Sequence, residues 1–264
     1  MLKTIIVIGS NSFSGAWFVK TLLEDGVRVI GISRSKEPPS VFLPYKWEQK
    51  KEFQTNFNFF QFDLNHHKEQ IIDLIDQFKP EYVFNFAAQS MVGQSWISPE
   101  DWYQTNVMAQ VALIEGIRKL DYVKKIVHVS TPEVYGNCEG LIKESIHYSP
   151  STPYAVSRAA FDMHLMALYH AYKLPVVFTR AANVYGPGQQ LYRVVPKAIL
   201  SFLKGDKLPL HGGGKSIRSF IHIKDVCRAT WMIGQKADPS TIFHISTKEM
   251  ISIRDLVAMV ADQM

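Results

Sequence analysis

The sequence predicts an α/β fold built on a doubly wound parallel sheet. Two observations carry that expectation. From residue 4 to residue 180, short β-branched or aromatic runs alternate with longer stretches of helical spacing. The first run ends in a glycine- and serine-containing turn that opens directly into a helix. Parallel strands need crossover connections, and helices supply them.

Thr4–Gly9 (Thr-Ile-Ile-Val-Ile-Gly) is the unbroken apolar run of a strand buried on both faces. Gly15–Glu24 has helical spacing, with Trp17, Phe18, Leu22 and Leu23 apolar, and Asp25-Gly26 ends it. Val27–Ile32 is the second buried strand, and Ser33–Thr55, with Pro38-Pro39 and Pro44, reads as an irregular polar insertion. Phe57–Phe62 is a third strand leading to Asp63, Lys68–Phe78 a helix and Tyr82–Ala87 a fourth strand. Asp101–Leu120 reads as one long helix, Lys125–Ser130 as the fifth strand, Pro153–Tyr172 as another long helix and Pro175–Arg180 as the sixth strand.

After Arg180 the texture changes. Loops such as Tyr185-Gly186-Pro187-Gly188 and Gly212-Gly213-Gly214 separate short segments. Asp225–Gln235 returns as a helix, Thr241–Ile245 as a strand, and Ile253–Met264 is helical. The expected division is a dinucleotide-binding Rossmann-type domain over residues 1–180 and a smaller C-terminal substrate-binding lobe over 181–264. Residues 220–245 return to the main domain.

The bulk numbers narrow the function. A chain of 264 residues, 47% apolar and 20% charged, buries a large core. Its net charge of +5 is scattered rather than clustered, which argues against a nucleic-acid partner. No apolar run reaches membrane-spanning length, and the apolar N-terminal run is too short for a signal peptide. Two distant cysteines, Cys138 and Cys227, suggest neither a disulfide framework nor a metal site, and a reducing cytoplasm fits. His211, His222 and His244 are spaced too widely to argue for a metal.

The segment Gly9-Ser10-Asn11-Ser12-Phe13-Ser14-Gly15 lies between a strand and a helix. Backbone amides at a helix N-terminus hold a pyrophosphate, and glycine lets the backbone come close. Ser12 stands where a middle glycine is expected, and an ordinary turn capped by Ser12 or Ser14 is the competing reading. At the end of the second strand, where an acidic residue would receive the ribose hydroxyls, the chain has Ser33-Arg34-Ser35-Lys36. A guanidinium grips a 2′-phosphate that a carboxylate would repel, so NADP is expected over NAD. Asp63 and Leu64, after the third strand, are placed to meet the adenine.

Ser130-Thr131-Pro132-Glu133-Val134-Tyr135-Gly136 and Tyr154-Ala155-Val156-Ser157-Arg158 together offer a hydroxyl, a carboxylate and a phenol with a cation one helical turn on. A phenol of pKa about 10 is a poor base at neutral pH, and a nearby cation favours its charged form. Next to a dinucleotide turn, this set reads as redox chemistry on an alcohol.

With these motifs, Phe84–Ser90, Arg180–Pro187 and Gly214–Phe220 followed by Asp225, the chain resembles the extended short-chain dehydrogenase/reductases, and within them the nucleotide-sugar 4,6-dehydratases. The resemblance implies that Tyr154 takes the proton of the sugar 4-hydroxyl, Thr131 hydrogen-bonds the 4-oxygen and Glu133 removes the proton at carbon 5. It implies that Arg158 stands where the family has lysine, and that Ala87 and Ala88 lie beside the cofactor with Gly9, Ser12, Phe13, Gly15, Ser33 and Arg34. Gln89 and Ser90 would face the sugar, and Asn183, Arg193 and Arg218 the diphosphate or adjacent nucleotide of a nucleoside-diphosphate sugar. Pro132 replaces an acidic residue of the dTDP-glucose type and cannot donate a proton, which leaves the acid for the leaving water unassigned. Members of this family usually continue for several dozen residues more, so a reduced or truncated lobe and an open substrate pocket are expected. The helices Asp101–Leu120 and Pro153–Tyr172 would form a homodimer interface. A nucleotide-sugar epimerase or decarboxylase is the enzymatic alternative. A catalytically inactive NADP-binding regulator is the other, since Ser12, Pro132 and Arg158 all depart from the pattern.

Overall fold

The computed structural model describes residues 3–138 and 140–264. In chain order the elements of the first part are β1 (Thr4–Ile8), α1 (Phe13–Glu24), β2 (Arg28–Ser33), α2 (Lys51–Asn56), β3 (Phe57–Gln61), α3 (Lys68–Phe78), β4 (Tyr82–Asn85), α4 (Pro99–Tyr103), α5 (Gln110–Ile117), β5 (Lys125–Val129), α6 (Pro153–Tyr172) and β6 (Val176–Ala181). There follow β7 (Asn183–Tyr185), α7 (Val194–Lys204), β8 (Ile217–Arg218), β9 (Phe220–His222), α8 (Ile223–Lys236), β10 (Ile242–Ile245), β11 (Ile251–Ser252) and α9 (Ile253–Asp262).

Seven strands form one parallel sheet in the order β10-β6-β5-β4-β1-β2-β3. The strand order reverses between β1 and β4, so the crevice beyond their C-terminal ends is where a ligand is expected. The alternation of β1 explains the layers. Ile5 and Val7 point to one face, where Phe18, Phe84 and Trp231 form a core with α1 and α8. Ile6 and Ile8 point to the other, against Ile71, Leu113 and Phe161 of α3, α5 and α6. The doubly wound expectation is met, and both faces of the sheet are covered by helices.

Three element readings change. The insertion after β2 is not merely polar and irregular. It holds two 3₁₀ turns, Ser40–Phe42 and Pro44–Lys46, as well as α2. Leu43, Tyr45 and Phe53 are buried, and Trp47 meets Trp17 of α1 edge-on at 5.5 Å. These scattered apolar residues have no helical period, which is why the sequence pattern hid them. The fourth strand ends at Asn85 rather than Ala87, because the Asn85 side chain itself takes the Ala87 amide at 3.1 Å and donates to Gln110 at 2.7 Å. The long helix expected over Asp101–Leu120 begins at Pro99 and is interrupted by a π-helical turn, Gln104–Ala109, before α5.

Beyond β6, β7 pairs with β9 in parallel, β8 pairs with β11, and α7 packs on α9. The chain re-enters the main sheet through β10, next to β6. Among the described residues no helix is long and apolar enough to cross a membrane.

Candidate active site

A cavity of about 490 Å³ opens at the switch point of the sheet. It is lined by Gly9, Asn11 and Ser12 of the first turn, by Ser33, Arg34, Ser35 and Lys36 after β2, by Asp63 and Leu64 after β3, and by Ala87, Ala88 and Gln89 after β4. The backbone of the first turn is built for close approach. Gly9 has φ +86°, and a Cβ there would lie 2.7 Å from the Ala87 amide nitrogen. A Cβ on Gly15 would lie 2.1 Å from the Gly9 carbonyl oxygen. Ser12 does cap α1: its Oγ accepts from the Gly15 amide at 3.0 Å and donates to the Gly9 carbonyl at 2.7 Å. A helix N-terminus of this kind suits an anion, because its first amides have no partner within the helix. A dinucleotide fits this cradle, and Arg34 and Lys36 reach solvent at its rim with no carboxylate partner among the described residues. Phe13 and Gly15 lie outside the lining, Phe13 in the core and Gly15 in the first turn of the helix.

The adenosine end also has walls that sequence reading passed over. Pro38 and Phe42 of the insertion, Thr105 of the π turn and Gln190 after β7 also line the cavity. Asn11 ties the wall together, accepting nothing itself but donating its amide to Ser33 Oγ at 2.9 Å and its Nδ2 to the Ser35 carbonyl at 3.0 Å. Asp63 Oδ1 takes the Asn65 amide at 2.9 Å, the turn role that competed with adenine recognition.

The second constellation stands at the ends of β5 and α6. Thr152 caps α6 by accepting from the Ala155 amide at 3.1 Å, and Pro153 occupies its first position. This places Tyr154 in the first turn, buried, with Arg158 one turn on. At the end of β5, Thr131 Oγ1 accepts from the Glu133 amide at 3.3 Å and sets the turn that holds both residues. Thr131, Glu133, Arg158 and Arg193 all act electrostatically on the Tyr154 phenol. Burial pushes that phenol above its ordinary pKa; Arg158, Thr131 and Arg193 pull it down, and burial prevails. The Arg158 charge favours the phenolate, but dehydration outweighs it.

Glu133 opens to solvent at the mouth of this site, yet partial dehydration raises its carboxyl pKa, opposed by Arg218 and Arg193. The structure therefore brings Thr131, Glu133, Tyr154, Arg193 and Arg218 into one electrostatic neighbourhood. Asn183 donates to the Ser219 carbonyl at 3.1 Å, beside Arg218, and both Asn183 and Ser90 are exposed.

Two sets of residues were missed. Asn106 of the π turn is fully buried and clamps Gln89 from both sides, accepting its amide at 2.8 Å and donating to its carbonyl at 3.0 Å. It also donates to Ser157 Oγ at 2.9 Å, and Ser157 in turn bonds the Tyr154 carbonyl at 2.7 Å. Gln110 donates to the Ala87 carbonyl at 2.8 Å. The signal was the amide pair Asn106 and Gln110, four residues apart and so on one helix face. The other set, His128, Asp162 and Arg180, is buried beneath Arg158.

Residues 6–264 match the family described as GDP-mannose 4,6 dehydratase. A dTDP-glucose 4,6-dehydratase of Xanthomonas campestris pv. campestris (strain B100) is 30% identical over 281 residues, covering 99% of this chain and 77% of that protein. The structure of a dTDP-glucose 4,6-dehydratase from Bacillus anthracis str. Ames in complex with NAD superposes with a TM-score of 0.87 at 29% identity, covering 98% of this chain and 80% of that one. A UDP-glucose 4-epimerase from Thermotoga maritima, solved with UDP-glucose, superposes with a TM-score of 0.83 at 27% identity, covering 98% and 82%. The chain belongs to the GDP-mannose 4,6-dehydratase family and is a nucleotide-sugar 4,6-dehydratase of the extended short-chain dehydrogenase/reductase type.

Proposed function

We propose that this dehydratase uses NADP in preference to NAD and works through Thr131, Glu133, Tyr154 and Arg158. The observation that carries the reading is the buried Tyr154 at the start of α6, acted on by the Thr131 hydroxyl and the charges of Glu133 and Arg193, with Arg218 acting in turn on Glu133. The cavity lined by Gly9, Asn11, Ser12, Arg34, Asp63, Ala87 and Ala88 would hold the dinucleotide, whose nicotinamide would supply reversible hydride transfer with the sugar.

The residues of the chain handle the protons and the charge. Tyr154, as phenolate, removes the 4-hydroxyl proton, and Thr131 holds the same oxygen. Arg158 stabilises the phenolate, as lysine does elsewhere in the family. Glu133 removes the proton at carbon 5, which a 4-keto group acidifies. Pro132 has no proton to give the departing 6-hydroxyl. Glu133, its carboxyl pKa raised by partial dehydration, takes the carbon 5 proton and passes it to that hydroxyl, so that water leaves; a solvent proton delivered through Glu133 then reaches carbon 5 as hydride reaches carbon 6, and Tyr154 gives its proton up to solvent. Arg193 and Arg218 supply the positive field for a diphosphate, with Gln89 and Ser90 toward the sugar and Asn183 near the nucleotide. Arg34 and Lys36 receive the 2′-phosphate.

A panel of nucleotide sugars in deuterated water tests the reading. A 4-keto-6-deoxy product carrying solvent deuterium at carbon 5 supports it; carbon dioxide release, or a 4-epimer without loss of water, refutes it. Arg158→Lys is expected to keep or raise turnover, and complete loss would show a role that lysine cannot fill. The apolar residues exposed from α4 to α6, among them Tyr103, Met108, Met163 and Tyr172, support a homodimer through these helices. Sedimentation as a monomer at micromolar concentration would refute that assembly. Two free cysteines fit a cytoplasmic setting.

A further inference from the structure

Arg158 is 1% exposed and belongs to a buried cluster under the proposed site. Its Nη2 donates to the Val129 carbonyl and lies 3.2 Å from His128 Nε2, both on β5. The same His128 Nε2 lies 3.3 Å from Asp162 Oδ1. The other Asp162 oxygen takes Arg180 Nη2 at 2.8 Å and Ser130 Oγ at 2.7 Å. Arg180 reaches on to Tyr135 and Tyr148. Arg158 Nε and Nη1, His128 Nδ1 and Asp162 Oδ1 are left without hydrogen-bond partners.

Arg180 pairs with Asp162, whereas Arg158 makes no contact with a carboxylate among the described residues, and burial holds His128 neutral with a pKa of about 4. One positive charge is therefore unbalanced in a dry place, which is costly unless an anion forms beside it. The phenol of Tyr154, on the same helical face, is the group available to become that anion. His128 Nε2 serves one neighbour at a time. A guanidinium only donates, so Nε2 must be bare to accept from Arg158; it must carry the proton to donate to Asp162.

We propose that His128 is a positioning residue for the reaction: its bare Nε2 and the Val129 carbonyl hold Arg158 against β5, so that the guanidinium's charge is fixed beside Tyr154. Lysine would need no such dock; the larger planar fork of arginine does. Asp162, in turn, is anchored by Arg180 and Ser130. The proposal rests on the reading that Arg158 acts on Tyr154. The groups acting on that phenol are Arg158 on its own helix, Thr131 and Glu133 after β5, and Arg193 before α7. Those around His128 are Arg158 and Asp162 of α6 and Arg180 of β6.

The test is an NMR titration of ring-labelled tyrosine in the NADP-bound protein, with Tyr154 assigned by Tyr154→Phe. Arg158→Met must raise the Tyr154 pKa; if it does not, the underlying reading of Arg158 fails. His128→Leu is expected to raise it by roughly half a unit to one unit, and His128→Gln, which restores an acceptor, by less. The double variant Arg158→Met/His128→Leu should titrate like Arg158→Met alone. A His128→Leu titration equal to wild type, or a double variant with an additional shift, overturns the proposal. Should His128→Leu not fold, nitrogen-labelled histidine decides: Nε2 is bare in wild type and protonated in Arg158→Met. An unchanged tautomer overturns the proposal.

Discussion

His128 Nε2 stands 3.2 Å from Arg158 Nη2, and each side chain is 1% exposed. A neutral imidazole thus sits between a guanidinium and the Asp162 carboxylate, in a position that water does not reach. Burial, with the Arg158 and Arg180 charges, overcomes the pull of Asp162 and pushes the imidazole pKa down to about 4.

That depression makes stability pH-dependent. An unfolded histidine titrates near pH 6.5, so between about pH 6.5 and 4 the unfolded chain binds the proton that the folded chain refuses. Folding stability therefore falls as pH falls through this window, by about 3 kcal/mol in total, and below it the term is constant. His128→Gln should remove most of this slope. Urea midpoints of wild type and variant at the two ends of the window check it; parallel pH dependences would contradict it.

Arg34 should set the cofactor preference. Losing one charge-assisted phosphate contact costs about 1.5–3 kcal/mol, so Arg34→Ala should weaken NADP binding roughly tenfold to a hundredfold and leave NAD nearly unchanged. Calorimetric titration with each dinucleotide measures this. NAD binding tighter than NADP in the wild type would overturn the preference.

Arg193 and Arg218 both favour the charged form of Glu133, against the burial that raises its pKa. Removing either should raise that pKa further. The acid limb of the elimination step should then move to higher pH in Arg193→Ala and Arg218→Ala, alongside a higher KM for the nucleotide sugar. An unmoved acid limb would show that Glu133 is not the titrating group.

Much of this was legible in the sequence. The sheet was readable because β1, β2 and β4 are unbroken apolar runs whose burial on both faces leaves no alternation to confuse. The turn at Gly9 and the Tyr154 to Arg158 spacing were readable because local backbone geometry fixes them. The π turn was not, since Thr105, Asn106 and Val107 carry no signal of a wider helix; only the clamp on Gln89 explains it. The net upward shift of Tyr154 was not readable either. It depends on how much dry protein surrounds the phenol, and the Arg158 charge that the sequence does show is the smaller effect.

The central claim is that Tyr154 takes the alcohol proton and Glu133 acts only afterwards. Nicotinamide fluorescence after rapid mixing of the NADP-loaded protein with a turned-over nucleotide sugar separates these steps. Tyr154→Phe is expected to lose the formation of reduced cofactor by roughly 10²–10⁴-fold, and Glu133→Gln to form it and let it accumulate. Reduced cofactor forming at the wild-type rate in Tyr154→Phe, or failing to accumulate in a folded Glu133→Gln that still binds substrate, would contradict the assignment.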